Sequence, residues 1–158
     1  MVITTPRLFV RHLEDSDYDA FSTLESDPGV KKFTGAASTI ARERYNRFIS
    51  VPSAGCMAVC RKDTACFIGR CGFRTDDDRV ELEIFLLTEA QGQGFGPELF
   101  DAMITRCSDA FPGLKVAATV SPANSRAIAL LTTRGFADSG ESVLMKSGLE
   151  HSLYARTI

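Results

Sequence analysis

Two stretches of the chain carry residue types able to do chemistry. In Val80 to Leu87 the carboxylates Glu81 and Glu83 alternate with Leu82, Ile84 and Leu86, so a regular strand turns both acids to one face. Paired carboxylates so placed can take and return protons, or they can simply solvate the outer face of a strand. A few residues later, Gln91-Gly92-Gln93-Gly94-Phe95-Gly96-Pro97 leads into Leu99, Phe100, Met103, Ile104 and Cys107, a stripe at helical spacing. A strand, a glycine-rich turn and a helix N-terminus together form an anion site. Unpaired backbone N–H groups and the positive end of the helix dipole face outward there, and glycines let a phosphate approach the backbone.

Spacing separates the ligands that use such a turn. A Walker loop needs GxxxxGK[ST], and no Lys-Ser or Lys-Thr follows Gly96. A dinucleotide fingerprint starting at Gly92 and Gly94 needs glycine at 97, where Pro97 stands, and the turn lies mid-chain instead of after a first strand. A tight turn with no ligand is the remaining non-functional reading.

The elements that must position these residues follow from periodicity and turn chemistry. Arg7 to Leu13 reads as a first strand. Asp15 and Ser16 are helix-capping types before Tyr18, Phe21 and Leu24, and Asp27-Pro28-Gly29 is expected to stop that helix. A second helix is expected from Ser38 or Thr39 through Ile40, Tyr45, Phe48 and Ile49, ending before Pro52. Met57 to Cys60 and Cys66 to Phe73 read as a hairpin across Arg61-Lys62-Asp63-Thr64. The strand with the two acids, the helix after the glycine turn and a strand from Lys115 to Val120 come next. Ser121-Pro122-Ala123-Asn124 then turns into a helix ended by Gly135, and Phe136 to Ile158 forms two strands hinged near Ser147-Gly148. The order β α α β β β α β α β β predicts an α+β (mixed α/β) domain, a mostly antiparallel sheet of six to seven strands with four helices, spanning 1–158 as one domain.

Composition narrows the partners. Lys+Arg number 18 against Asp+Glu 20, so the surplus of cations that phosphate-backbone binding requires is missing and nucleic acid is not the expected partner. No window approaches the ~18 uninterrupted apolar residues of a membrane span, and Met1 to Pro6 lacks a basic region followed by an apolar one, which predicts a cytoplasmic protein with no membrane partner. Cys56, Cys60, Cys66, Cys71 and Cys107 form no CxxC pair and have no histidine at zinc-ligand spacing. They are expected as small buried hydrophobes in a reducing compartment, with no metal.

The pattern Gln91-x-x-Gly94-x-Gly96 resembles the pyrophosphate loop Q/R-x-x-G-x-G/A of the GNAT superfamily of acyl-CoA-dependent N-acyltransferases. Asn124-Ser125-Arg126-Ala127-Ile128-Ala129-Leu130 followed by Gly135-Phe136 is similar to that family's N-x-R-A-I-x-L…G-F segment. Thr5-Pro6-Arg7-Leu8-Phe9-Val10-Arg11, with Asp17 beyond it, resembles the T-x-R-L-x-L-R start of the RimJ/RimL-type subgroup that acts on ribosomal-protein N-termini, as do Glu81 and Leu86-Leu87-Thr88-Glu89.

The resemblance implies a GNAT fold in which the strand bearing the two glutamates and the strand Lys115 to Val120 part to admit acetyl-CoA on one side and an acceptor amine on the other. It implies that Gln91, Gly92, Gln93, Gly94, Phe95 and Gly96 take the pyrophosphate and that the main chain of Ile84, Phe85 and Leu86 pairs with the pantetheine arm. Asn124 would contact the cofactor, cap its helix, or both. The Leu86 N–H is placed to polarise the carbonyl, with Glu81 the first choice of base and Glu83 the second. The expected acceptor is a small amine or a protein N-terminus, and the protein a monomer or homodimer.

Two positions depart from the family pattern. Leu131 stands where many relatives carry a general-acid Tyr, and Thr119 where some N-terminal acetyltransferases carry a Glu. A thiol of pKa ~8.5 leaves with little acid help, and an α-amine of pKa ~8 is about a tenth neutral at pH 7, against well under a thousandth for a lysine near 10.4. The departures therefore favour an α-amine or another amine of low pKa. They also motivate an alternative, a catalytically degenerate domain that senses acyl-CoA. Tyr154 could offer a hydroxyl from the last strand or pack as a core aromatic, while His12 and His151 read as structural. The acceptor pocket is expected from the first two helices, their loop around Gly35 to Ser38 and the last hairpin.

Overall fold

The computed structural model describes residues 3–34, 41–51, 55–76, 78–145 and 147–158. Eight strands form one sheet: β1 (Ile3–Thr4), β2 (Leu8–His12), β3 (Cys56–Arg61), β4 (Phe67–Thr75), β5 (Arg79–Leu86), β6 (Lys115–Val120), β7 (Ala137–Leu144) and β8 (Glu150–Thr157). Their spatial order is β1-β2-β3-β4-β5-β6-β8-β7, and every neighbouring pair is antiparallel except β5 and β6. The helices are α1 (Tyr18–Ser26), α2 (Pro28–Thr34), α3 (Ala41–Ser50), α4 (Phe95–Ala110) and α5 (Ser125–Thr132).

The period of two along β3 shows how the layers are built. Cys56, Ala58 and Cys60 pack with Phe21 of α1 and Tyr45 of α3, while Met57 and Val59 join Leu99 and Met103 of α4 in the larger core. Alternate residues of a strand point to opposite faces, so α1 and α3 cover one face and α4 the other. The turn after α5 packs on α4: the rings of Phe100 and Phe136 lie 5.5 Å apart at a tilt of 51°, and Arg134 forks onto Asp101. Leu8, Val10, Val59, Val80, Leu99, Met103 and Val116 are fully buried, each contributing ~1.5–3 kcal/mol of hydrophobic stabilisation.

Several local expectations change. Asp27-Pro28-Gly29 does end α1, but the same residues start α2: the Asp27 side chain accepts the Gly29 amide at 2.8 Å, and proline is tolerated in a first helical turn because its missing N–H would be unpaired there. Among the described residues the helix count rises from four to five and the strand count to eight, the latter because the two-residue β1 pairs with β2 outside any readable alternation. Asp15 and Ser16 cap nothing and lie in a 3-10 turn. Asp17 is the working residue, accepting the Glu14 amide at 2.9 Å and holding Arg11 through two bonds at 2.6 and 2.9 Å. The expected helix start at Ser38 or Thr39 lies outside the described residues.

Gly135, at φ +77°, reverses the chain from α5 into β7. Cys56, Cys60, Cys71 and Cys107 are buried as expected, whereas Cys66 is exposed just before β4. Among the described residues, no group of cysteine, histidine and carboxylate side chains can hold a metal, and no helix is long and apolar enough to cross a membrane.

Candidate functional site

The sheet splits between β5 and β6. They pair in parallel only at Arg79↔Lys115, Val80↔Val116 and Glu81↔Ala117. Beyond that row β5 stays with β4 as far as Leu86↔Gly69, and β6 stays with β8 as far as Val120↔Ser152. The second half of β5 thus has a partner on one edge only. Leu87 donates its amide to Ile68 on β4 at 2.9 Å, and donors alternate sides along an antiparallel ladder. The amides of Leu86 and Ile84 therefore face away from β4, towards the split.

The glycine turn lies directly after this edge. Gly92 and Gly94 have φ of +76° and +82°, a conformation that glycine adopts without strain. Gly94 is the residue before α4. The first amides of a helix have no partner inside it, and among the described residues those of Gly92, Gln93, Gly94, Phe95 and Gly96 donate no hydrogen bond. Gln91, a candidate ligand by sequence, instead fastens the turn to β5: its side-chain amide donates to the Leu86 carbonyl at 2.9 Å. Gln93 similarly donates to the Glu89 carbonyl at 2.8 Å. Phe95 is buried, with its ring beneath the Arg7 guanidinium at 4.5 Å. The Asn124 side chain accepts the Ala127 amide at 3.1 Å, which caps α5, and among the described residues its own NH2 group donates to none.

Glu81 and Glu83 do share a face, together with Phe85, and that face looks towards α1. Their surroundings differ. Glu81 sits on the last paired row, 6% exposed, and is joined to Arg74 of β4. Glu83 stands two residues past that row, with its side chain 42% exposed and Arg70 3.3 Å away. Arg70 is itself buried, held by Glu25 of α1 at 3.0 Å and stacked on the Phe85 ring at 4.2 Å. Glu25 also takes Arg44 of α3 at 2.6 Å, so a chain of four charges runs from α3 to β5.

Among the described residues, no familiar general acid replaces those missing from the sequence. Leu131 is buried in the main core, Thr119 is a half-buried residue of β6, and Tyr154 packs against the core from β8. His151 is tied to the Phe33 carbonyl of α2 at 2.8 Å. Burial pushes the thiols of Cys56 and Cys107 up to about 11 and about 12, which leaves no thiolate there at neutral pH. Glu98, on the first turn of α4, carries no signal in the sequence. It accepts the Thr5 hydroxyl at 2.5 Å and the Arg7 amide and Nε at 2.9 and 2.6 Å.

A family model described as an acetyltransferase (GNAT) domain matches residues 7–137. The chain belongs to the GNAT acetyltransferase family. Its fold is that of a GNAT family acetyltransferase from Bacillus anthracis, with a TM-score of 0.84 at 17% identity over 99% of this chain and 98% of that one. A ribosomal-protein-S5-alanine acetyltransferase from Vibrio fischeri superposes with a TM-score of 0.78 at 15% identity, covering 99% and 96%. RimL, a ribosomal L7/L12 alpha-N-protein acetyltransferase crystallised with coenzyme A, superposes with a TM-score of 0.78 at 14% identity, covering 100% and 98%. No curated protein sequence matches the chain. GNAT membership makes acetyl transfer the reaction class and acetyl-CoA the family's donor. The free amides from Gly92 to Gly96 and the open edge of β5 suit a ligand with a diphosphate and an amide-bearing arm.

Proposed function

We propose that this chain transfers the acetyl group of acetyl-CoA to a primary amine, either a protein N-terminal α-amine or a small amine of low pKa. One observation carries the reading: the split after Glu81 leaves the Ile84 and Leu86 amides unpaired beside five unpaired amides at Gly92 to Gly96. Acetyl-CoA, when bound, supplies the thioester. The Gly92–Gly96 amides hold its diphosphate against the α4 dipole, with the Asn124 amide group nearby in the family's arrangement. The main chain of Ile84, Phe85 and Leu86 pairs with the pantetheine arm as an added strand would, and the Leu86 N–H polarises the carbonyl.

Glu83 is the base of choice. Its carboxylate borders the split and is partly open to solvent, so it can accept the amine's proton directly or through a water, whereas Glu81 is enclosed and committed to Arg74. The acceptor enters on the α1 face, where a depression of about 770 Å³ lined by Ser22, Ser26, Asp27, Leu87 and Thr88 opens at the end of β5. The likeness to RimL, described as a ribosomal L7/L12 alpha-N-protein acetyltransferase, supports an α-amine as acceptor.

The test begins with thermal unfolding in saturating acetyl-CoA, with ATP and NADH as controls. Ligand at ~100 times its dissociation constant adds about 2.7 kcal/mol, a rise of several degrees. Peptide N-termini and small amines are then screened for CoA release. Glu83→Gln is expected to lower turnover at least about 100-fold with CoA affinity intact, and Glu81→Gln to act mainly on stability. Tight CoA binding without turnover of any amine would instead identify an acyl-CoA sensor.

A further inference from the structure

The phosphate cradle is braced by a residue far away in sequence. Arg7, between β1 and β2, reaches the turn with a guanidinium that makes three contacts there. Nη1 donates to the Gln93 carbonyl at 2.9 Å, Nε donates to Glu98 at 2.6 Å, and the plane covers the Phe95 ring at 4.5 Å. Glu98 is fixed in turn by the Thr5 hydroxyl and the Arg7 amide. Hydrogen bonds from Thr5 and Arg7 outweigh partial burial and hold the Glu98 carboxyl below its usual range, so it stays ionised opposite Arg7.

A trans peptide turns its C=O and N–H in opposite directions. Pinning the Gln93 carbonyl to Arg7 therefore aims the Gly94 amide away from Arg7, among the other free amides of the turn. Without the pin that peptide would rotate easily, because Gly94, at φ +82°, has no side chain to resist. A Cβ at position 94 would also lie 3.2 Å from Nη2 of Arg7, so the glycine and the arginine fit one another.

We propose that Arg7 is a positioning residue for the diphosphate of coenzyme A, locking the Gln93–Gly94 peptide so that the cradle is formed before the ligand arrives. The inference rests on the donor-site reading above. It makes the N-terminal segment part of the cofactor site although no atom of Arg7 need touch the ligand. One planar fork reaches Glu98 and Gln93 from different nitrogens while its plane covers Phe95, a spread that the compact ammonium of a lysine does not reproduce.

The experiment is calorimetric titration of the full chain with CoA and, in parallel, with S-acetylpantetheine, which lacks the diphosphate. Arg7→Gln is expected to weaken CoA about tenfold, the factor one charge-assisted hydrogen bond supplies, and to leave S-acetylpantetheine unchanged. Arg7→Lys is expected to recover little of the loss. Glu98→Gln, which frees Arg7 without removing its charge, is expected to show a smaller loss confined to the same ligand. Equal CoA affinity in wild type and Arg7→Gln, or equal losses for both ligands, overturns the proposal. If Arg7→Gln does not fold, Arg7→Lys and Glu98→Gln decide by the same comparison. A wild-type chain that does not bind CoA overturns the donor-site reading, and this inference with it.

Discussion

Asp27 grips Thr88 with both carboxylate oxygens: Oδ2 accepts the Thr88 amide at 2.7 Å and Oδ1 its hydroxyl at 2.5 Å. The junction of α1 and α2 is thereby fastened to the end of β5, where the chain enters the glycine turn. The Thr88 hydroxyl, the Thr88 amide and the amide of Gly29 together hold the Asp27 carboxyl below the usual carboxylate range.

Because the folded value is lowered, the ionised form stabilises the protein above the unfolded carboxylate pKa of ~3.9, and that contribution is lost as the pH falls through the native value. Asp27→Ala is expected to cost ~1–2 kcal/mol at pH 7, a fall in Tm of ~2–4 °C per kcal/mol. Its difference from wild type should shrink steadily below about pH 4. Thermal melts of both proteins from pH 3 to 7 check this, and a difference independent of pH would contradict it.

The charge chain Arg44–Glu25–Arg70–Glu83 predicts an asymmetric response to substitution. Glu25→Gln leaves the buried Arg70 without its main counter-charge and is expected to cost ~3–5 kcal/mol, whereas replacing the pair together, Glu25→Leu with Arg70→Met, should recover most of the loss. Urea unfolding of the single and double variants gives the coupling directly. A double variant no more stable than the single one would remove the pairing argument.

Asn124 separates two roles in one side chain. Its Oδ1 caps α5, while its amide group is free to donate to a ligand. Aspartate caps as well as asparagine but cannot donate. Asn124→Asp is therefore expected to keep the wild-type Tm and weaken CoA binding, and Asn124→Ala to lose ~1 kcal/mol of stability as well. CoA titration beside a melt distinguishes them; unchanged affinity in both would restrict Asn124 to capping.

The legible parts of this protein are those whose causes lie close together in the chain. The alternation through Val80 to Leu87, the stripe from Leu99 to Cys107, the cap at Asn124 and the reversal at Gly135 are local chemistry, and each is present in the structure. The start of α2 was hidden because Asp-Pro-Gly both ends one helix and begins another, and the junction is fastened by Thr88, 61 positions away. Glu98 was hidden for the same reason: its partners, Thr5 and Arg7, precede it by 93 and 91 positions.

Residue types and spacing by themselves determined the order of elements apart from β1 and α2, the two acids on one strand face, the glycine turn at a helix N-terminus and the family resemblance, because period, φ preference and capping act within a few residues. Tertiary structure decided the rest. Where β5 and β6 part determines which amides are left unpaired, and the neighbours on β4 enclose Glu81 while leaving Glu83 open. The Gln93 carbonyl of the glycine turn is held by Arg7, brought to it from between β1 and β2. Such choices depend on which distant groups come within hydrogen-bonding range, and only the folded chain brings them there.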